Sequence, residues 1–345
     1  MTTGASGPPA TMRVSVLHEA GRLELADWPV PAPGPGEVLV AVRSVGVCGS
    51  DVHYFQHGRI GDFVVRSPLV LGHEVSGRIA AAGPGVDARR VGSRVAVEPG
   101  AACGACAQCK AGRYNLCPDM RFFATPPVDG ALAQYVVVRA DLAFDLPGAV
   151  SDDDAALLEP LSVGIWATGK ARVTAGSSVL IAGAGPIGLV AAQVARARGA
   201  TTIAVTDIAP HRLAAALRNG ATMALDARDP AGPGQDFDAF LDCSGAPAAI
   251  SAGIGALAPA GRAVLVGMGP DEVTLPLGRL QQRELTVTGT FRYANTWPAA
   301  IGLAASGAVD LPGLVTGRFG LAQAELALRS TAEPGTIKSV VEPWR

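Results

Sequence analysis

The hexapeptide Gly183-Ala184-Gly185-Pro186-Ile187-Gly188 constrains this 345-residue chain more than any other feature. The spacing G-x-G-x-x-G alone is weak, but here an apolar strand, Val179–Ala182, runs into it and a helical stretch, residues 186–199, leaves it. In that setting each glycine has a task. The first permits a tight turn, the second lets a pyrophosphate approach the backbone, and the third lets the helix sit close to the strand with its N-terminus facing the phosphate. A second strand then ends at Asp207, about twenty residues on, where an acid binds the adenosine ribose. A carboxylate accepts a hydrogen bond from a 2′-hydroxyl and repels a 2′-phosphate, so NAD is expected rather than NADP. Arg212 suits either of two tasks, assisting a phosphate or stacking on adenine.

Residues 173–195 carry no charge and are long enough to cross a bilayer, but their glycine pattern assigns them to this nucleotide site. Hydrophobic residues make up 49% and charged residues 17%, enough apolar material for a core and little pressure toward disorder. The net charge is −2 and no block of Lys or Arg occurs, so neither nucleic acid nor an anionic membrane is expected as a partner. The N-terminal "MTTGASGPPATM" lacks the basic and apolar segments of a signal peptide. Residues 1–10 are expected to form a loose tail, and the protein is expected in the cytoplasm.

The length suggests about two domains. Residues 12–150 read as short strands with turns, among them "EVLVAVRSVGV", "VSGRIAAAG", "SRVAVEP" and "AQYVVV", the texture of an antiparallel sheet or barrel. From about residue 162, strands alternate with helices, which implies a parallel, doubly wound sheet. A short helix is expected over 298–306, after which the chain is free to rejoin the first domain.

Four of the six cysteines, Cys103, Cys106, Cys109 and Cys117, follow the spacing C-x2-C-x2-C-x7-C. Four thiolates close a tetrahedron around a structural zinc. An iron–sulfur cluster is the rival, but the last gap is longer than a ferredoxin run uses. Cys243, in "FLDCSG", reads as buried filler.

A catalytic zinc needs three protein ligands and an open position. Cys48, in "GVCGSD", is expected at a strand end on a flexible turn. His73 and Glu74 follow Gly72. Neighbours on a regular strand point to opposite faces, so both reach one metal only if the backbone bends, as Gly72 permits. Glu159 lies in "LLEPLSVG", where Pro160 is expected to break the preceding helical stretch. Each residue alone has a plainer use: His73 as a satisfied core histidine, Cys48 as buried filler, Glu74 as the carboxylate that orients His73. Their combination favours a metal site.

"GVCGSDVHYF", "GHE", the four-cysteine loop and "GAGPIG" together resemble the zinc-dependent medium-chain dehydrogenase/reductase family, from about residue 12 to the end. "FFATPPVDG", "EPLSVG" and "FRYANTWP" resemble its polyol branch, the sorbitol and xylitol dehydrogenases. The resemblance implies a barrel-like (GroES-like) catalytic domain split in sequence, residues 1–161 and 293–345, around a Rossmann NAD domain, residues 162–292, with a structural zinc lobe at 100–120. It implies one catalytic and one structural zinc per chain, and that Cys48, His73 and Glu74 approach the catalytic ion. Glu159 stands where ordinary alcohol dehydrogenases of the family have a cysteine ligand, and in the polyol branch it acts through the metal-bound water or substrate. Ser50 and His53 fall at proton-relay positions. Tyr54, Phe122, Thr125, Arg292 and Tyr293 match polyol-pocket positions, and Ile187, Arg212, Val266, Met268 and Phe291 match cofactor-contact positions.

The reaction so implied is oxidation of a secondary hydroxyl of a polyol to a ketose, by zinc-assisted alkoxide formation and hydride transfer to NAD. An NAD-dependent dehydrogenase of an aldonate such as L-idonate, or of L-threonine, is the near rival, since Arg292 would suit a carboxylate. A noncatalytic zinc- and NAD-binding protein is the distant one. A homotetramer or homodimer is implied by resemblance alone.

Overall fold

In the computed structural model, which describes residues 7–229, 232, 234 and 236–345, the chain divides into two units: residues 1–159 with 311–345, and residues 160–310. Residues 1–6, most of the expected tail, lie outside the described residues.

The first unit opens with an antiparallel pair, β1 (Thr11–Glu19) and β2 (Arg22–Pro29), followed by β3 (Glu37–Gly46) and a helix, α1 (Gly49–His57). A small hairpin, β4 (Arg59–Ile60) and β5 (Phe63–Val64), leads to β6 (Leu69–Val70), which joins β1, and then to β7 (Glu74–Ala82) and β8 (Arg94–Val97). A loop with α2 (Ala107–Lys110) is closed at its base by the pair β9 (Gly100–Ala101) and β10 (Arg121–Phe122). The strands β11 (Tyr135–Arg139) and β12 (Ala143–Asp145) and the short helix α3 (Asp152–Ala156) complete this part. Strand β3 is paired by both β7 and β11, and its Val38, Leu39, Val40, Val42 and Val45 are fully buried. Branched side chains fit a pleated surface, and burying each contributes about 1.5–3 kcal/mol.

The helix α4 (Leu158–Lys170) leads into the second unit. The preceding helix α3 ends at Ala156, before Pro160, as expected from the sequence, but Pro160 also belongs to a new helix. It sits in the first turn of α4, where its missing N–H has no intrahelical partner to lose. There follow β13 (Ser178–Ala182), α5 (Pro186–Ala197), β14 (Thr202–Asp207), α6 (Pro210–Arg218), β15 (Met223–Asp226), β16 (Phe237–Asp242), α7 (Pro247–Gly255), β17 (Leu257–Leu265), α8 (Leu277–Gln282), β18 (Thr286–Gly289) and α9 (Trp297–Ala305). The strands form one parallel sheet in the order β15-β14-β13-β16-β17-β18. The order reverses at β13, the switch point at which such sheets bind dinucleotides.

The return to the first unit falls at Leu311 rather than at residue 293. Residues 293–310 stay with the second unit because Tyr293 and Trp297 are buried there and the Gln193 amide accepts the N–H of Asp310 at 2.5 Å while donating to its carbonyl at 3.1 Å. The chain then adds β19 (Val315–Gly320), α10 (Ala324–Ser330) and β20 (Lys338–Glu342) to the first unit. The completed sheet runs β12-β8-β7-β3-β20-β19, with β11 also on β3. Among the described residues no helix is long and apolar enough to cross a membrane, and the uncharged stretch 173–195 is divided between β13 and α5.

Candidate functional site

Strand β3 delivers Cys48 to the start of α1, where it is the N-cap with extended backbone rather than part of a flexible turn. The third helical residue, Asp51, accepts the Cys48 N–H at 3.0 Å. Its other oxygen accepts the Gly72 N–H at 2.9 Å and lies 3.6 Å from Nδ1 of His73. Gly72 has φ +89°, and a Cβ there would lie 2.8 Å from Val45 Cγ1, so only glycine makes this bend. The bend lets His73 precede β7 and Glu74 begin it with both side chains turned to Cys48. One ligand atom from each of Cys48, His73 and Glu74 lies within 4.8 Å of the other two. Ligands at about 2.0–2.3 Å from one tetrahedral zinc stand about 3.5 Å apart, so the set fits the ion with small side-chain adjustments.

The electrostatics suit a cation. Burial pushes the His73 imidazole down, but Asp51 and Cys48 hold it well above the ordinary histidine value. Burial likewise opposes the Asp51 carboxylate, yet His73 and the N–H groups of Gly72 and Cys48 keep it below the usual range. Glu74 is 1% exposed. Its Oε1 lies 2.5 Å from Lys338 Nζ on β20, which also donates to the Val47 carbonyl at 2.8 Å. Its Oε2 has no hydrogen-bond partner among the described residues and needs Gly46, since a Cβ there would come within 1.9 Å of it. That buried, unpaired oxygen is available to a metal or a substrate hydroxyl. Burial alone would lower the Lys338 ammonium, but Glu74, Cys48 and Glu159 together hold it above the ordinary lysine value.

Glu159, in the first turn of α4, is buried and lies outside the 4.8 Å group, though its charge reaches Lys338. Glu98, just past β8, accepts the Tyr114 hydroxyl at 2.7 Å and is pushed up to about 7, mainly by burial, with Asp141 and Glu159 adding. Of the relay positions, Ser50 is half-buried and His53 exposed, one turn apart on α1. Tyr54 is buried on the inner side of that helix. Phe122, on β10, places its ring 5.7 Å from that of His73, and Thr125 follows at a bend, its N–H donating to the Phe122 carbonyl at 3.1 Å.

The four cysteines of the lobe bring their sulfurs within 4.8 Å of one another. Backbone N–H groups point at the thiols: Cys103 to Cys117, Cys106 to Cys103, and Cys109 to Cys106, each at 3.4 Å. Those of Ala105 and Cys106 bring the Cys103 thiol down to about 7, and burial pushes Cys109 up to about 12. Four sulfurs around one point leave no open position, so this centre fits a closed structural zinc.

In the second unit, Gly183 has φ +93° and a Cβ at Gly188 would lie 1.8 Å from the Gly183 carbonyl, so strand and helix touch through backbone alone. A Cβ at Gly185 would meet nothing within 4 Å, so the approach to the N-terminus of α5 is open there. Asp207 ends β14, as expected, and its oxygens accept N–H groups of Ala184 at 2.7 Å and Ala209 at 2.9 Å. It therefore anchors the glycine loop, and each oxygen keeps lone-pair capacity for a ribose hydroxyl. Ile187, Arg212 and Val266 are half-buried, and Met268 is exposed. Phe291 is exposed beneath the Arg292 guanidinium, 4.8 Å from its ring. Tyr293 is buried against Trp297. Cys243 is half-buried, its thiol raised by burial and by Asp242.

Sequence reasoning missed Asp51, Lys338 and Glu98. The acid three residues after Cys48 was a legible helix-start signal. A lysine opening the apolar "KSVVE" was a weaker sign, and Glu98 had none.

Residues 34–148 match the alcohol dehydrogenase GroES-like domain, and residues 186–306 match the zinc-binding dehydrogenase family. The sorbitol dehydrogenase of Bacillus subtilis (strain 168) is 44% identical over 334 residues, 93% of each chain. That of Gallus gallus is 45% identical over 337 residues, 95% of each chain. Among solved structures, a short chain alcohol dehydrogenase from E. coli CFT073, complexed with the cofactor NADH, superposes with a TM-score of 0.91 at 29% identity, covering 97% of this chain and 100% of that one.

Proposed function

Because the chain belongs to the zinc-dependent medium-chain dehydrogenase/reductase family, in its sorbitol dehydrogenase-like branch, we propose that it oxidises a secondary hydroxyl of an acyclic polyol, such as sorbitol or xylitol, to a ketose, with NAD as hydride acceptor. The observation that carries this reading is the convergence of Cys48, His73 and Glu74 within 4.8 Å. Zinc, when bound, supplies Lewis-acid polarisation of the substrate hydroxyl, and NAD accepts the hydride.

The chain's own groups do the rest. Cys48 and His73 would hold the ion, with Glu74 completing the set directly or through a water and Asp51 fixing the imidazole orientation. The free Oε2 of Glu74 and the carboxylate of Glu159 accept hydrogen bonds from the several hydroxyls that distinguish a polyol from a simple alcohol. Ser50 Oγ takes the hydroxyl proton and the His53 imidazole passes it to solvent. Tyr54, Phe122 and Thr125 shape the polyol's surroundings. Asp207 binds the adenosine ribose and selects NAD. The location we propose is the cytoplasm, where thiols that are to bind zinc stay reduced. The assembly we propose is a homotetramer or homodimer, which sedimentation velocity decides.

The test is zinc content together with NAD-linked turnover of sorbitol, xylitol, L-idonate and L-threonine. Two zinc ions per chain and preference for a polyol support the reading. Full activity and zinc content in Cys48→Ala or His73→Ala overturn the site, and preference for L-idonate or L-threonine overturns the substrate class.

A further inference from the structure

We propose that His53 and His57 form a third metal site, separate from both cysteine-containing clusters, that takes a late first-row divalent cation such as Zn2+, Ni2+ or Cu2+ from solution. The two histidines stand four residues apart on α1, on its outer side, while Asp51, Tyr54 and Phe55 fill the buried side. Side chains at this spacing lie one above the other on one helix face. The ring centroids are 5.6 Å apart with planes inclined by 53°. Two imidazoles sharing one tetrahedral ion through nitrogens at about 2.0–2.1 Å place their centroids about 5 Å apart, so a small rotation of either ring closes the chelate. The same i, i+4 pairing of histidines on a helix holds zinc in metalloproteases.

The surroundings favour a cation. His57 is the last residue of α1, and the helix ends at Gly58 with φ +66°, its N–H donating to the Tyr54 carbonyl at 2.9 Å. Carbonyls of that last turn present the negative end of the helix dipole. Two arginines close to α1 in sequence or packing have partners of their own, and only Arg329 has its charge matched by a carboxylate. Arg59 donates to the Gly61 carbonyl at 2.8 and 3.2 Å, and Arg329 lies over the Phe55 ring and pairs with Glu325. Among the described residues neither His53 nor His57 is tied into a hydrogen bond or ion pair, so both rings are free to ligate. Imidazole nitrogens suit nickel, copper and zinc.

The consequence for catalysis rests on the proton path proposed above. A cation on His53 occupies the imidazole nitrogen that would receive the proton from Ser50, so polyol oxidation slows while NADH binding is unchanged.

The test titrates the zinc-loaded enzyme with Ni2+ by calorimetry, for wild type and His57→Gln, and measures polyol oxidation and NADH fluorescence over the same range. The expected result, with released zinc measured alongside, is one Ni2+ per chain beyond any that replaces zinc at Cys48 and His73, and that added Ni2+ is bound roughly tenfold or more weakly by His57→Gln. His57→Gln should keep wild-type melting and turnover without Ni2+, and should escape the slowing. Equal Ni2+ binding by both proteins, or none by wild type, overturns the site. Binding lost in His57→Gln with no slowing of wild type upholds the site and removes His53 from the proton path.

Discussion

Lys338 Nζ lies 2.5 Å from Glu74 Oε1, with both side chains at most 3% exposed, although 264 residues separate them along the chain. Removing one partner of a buried ion pair strands the other charge at a cost of about 3–5 kcal/mol, whereas replacing both is often nearly neutral. Lys338→Met should therefore lower unfolding stability by about that amount, and Glu74→Gln with Lys338→Met should recover most of it. Urea unfolding of the single and double variants decides, and additive losses would show that the pair is not coupled.

Asp51→Asn keeps a side chain of the same shape but loses the charge that faces His73. Removing a carboxylate that orients a metal-bound histidine typically costs about 10–100-fold in metal affinity or activity. One of the two zinc ions should be stripped by a chelator faster than from the unaltered protein, the four-cysteine zinc remaining. Loss of both together would point to general unfolding.

Asp207→Ala removes the acceptor of two backbone N–H groups and the proposed ribose partner. Hydrogen bonds to a charged group contribute about 1.5–3 kcal/mol, so kcat/KM with NAD should fall by about 10–100-fold. The ratio of NADP to NAD activity should rise, because the repulsion of a 2′-phosphate is gone. An unchanged ratio would leave Asp207 as a loop anchor only.

Glu98 sits in the fold with its carboxyl pushed from 4.5 to about 7, chiefly by burial. A group that holds its proton more tightly when folded stabilises the fold fully below about pH 4.5 and progressively less as the pH climbs to 7. Glu98→Gln removes that loss while its carbonyl still accepts the Tyr114 hydroxyl. Above pH 7 the variant should be the more stable, by at most about 3 kcal/mol, and near pH 4.5 the two should match. Thermal melts across this range would show parallel curves if Glu98 were already ionised in the fold.

Features carried by local spacing were legible. The glycine run between strand and helix, the alternation that follows it, and the cysteine spacing each report a structure built within about twenty residues. Gly72 before His73 and Glu74 was readable for the same reason: a glycine supplies the one backbone conformation that turns neighbouring side chains toward the same point. Lys338 was not readable, because its meaning depends on the pairing of β20 with β3, which sequence proximity does not encode. The boundary at Leu311 was hidden similarly, since the Gln193–Asp310 bonds that keep residues 293–310 in the second unit join positions 117 apart. Pro160 was half legible, since it marks the break after α3 and, less visibly, the first turn of α4.

Asp51 has a consequence for how metals come and go. It ties the backbone of Cys48 to that of Gly72 through bonds that involve no ligand atom, so the pocket keeps its shape when its ion leaves. The lobe is tied at its base by β9 and β10 and by Tyr114 on Glu98, but its sulfurs are held by N–H groups of the cysteine loop itself. Exchange at the first centre is then a diffusion event into a standing pocket, and exchange at the second waits on opening of the loop. Short dialysis against Co2+ or Cd2+ should accordingly give a hybrid protein, with the foreign ion at Cys48 and His73 and the original zinc still held by the four cysteines.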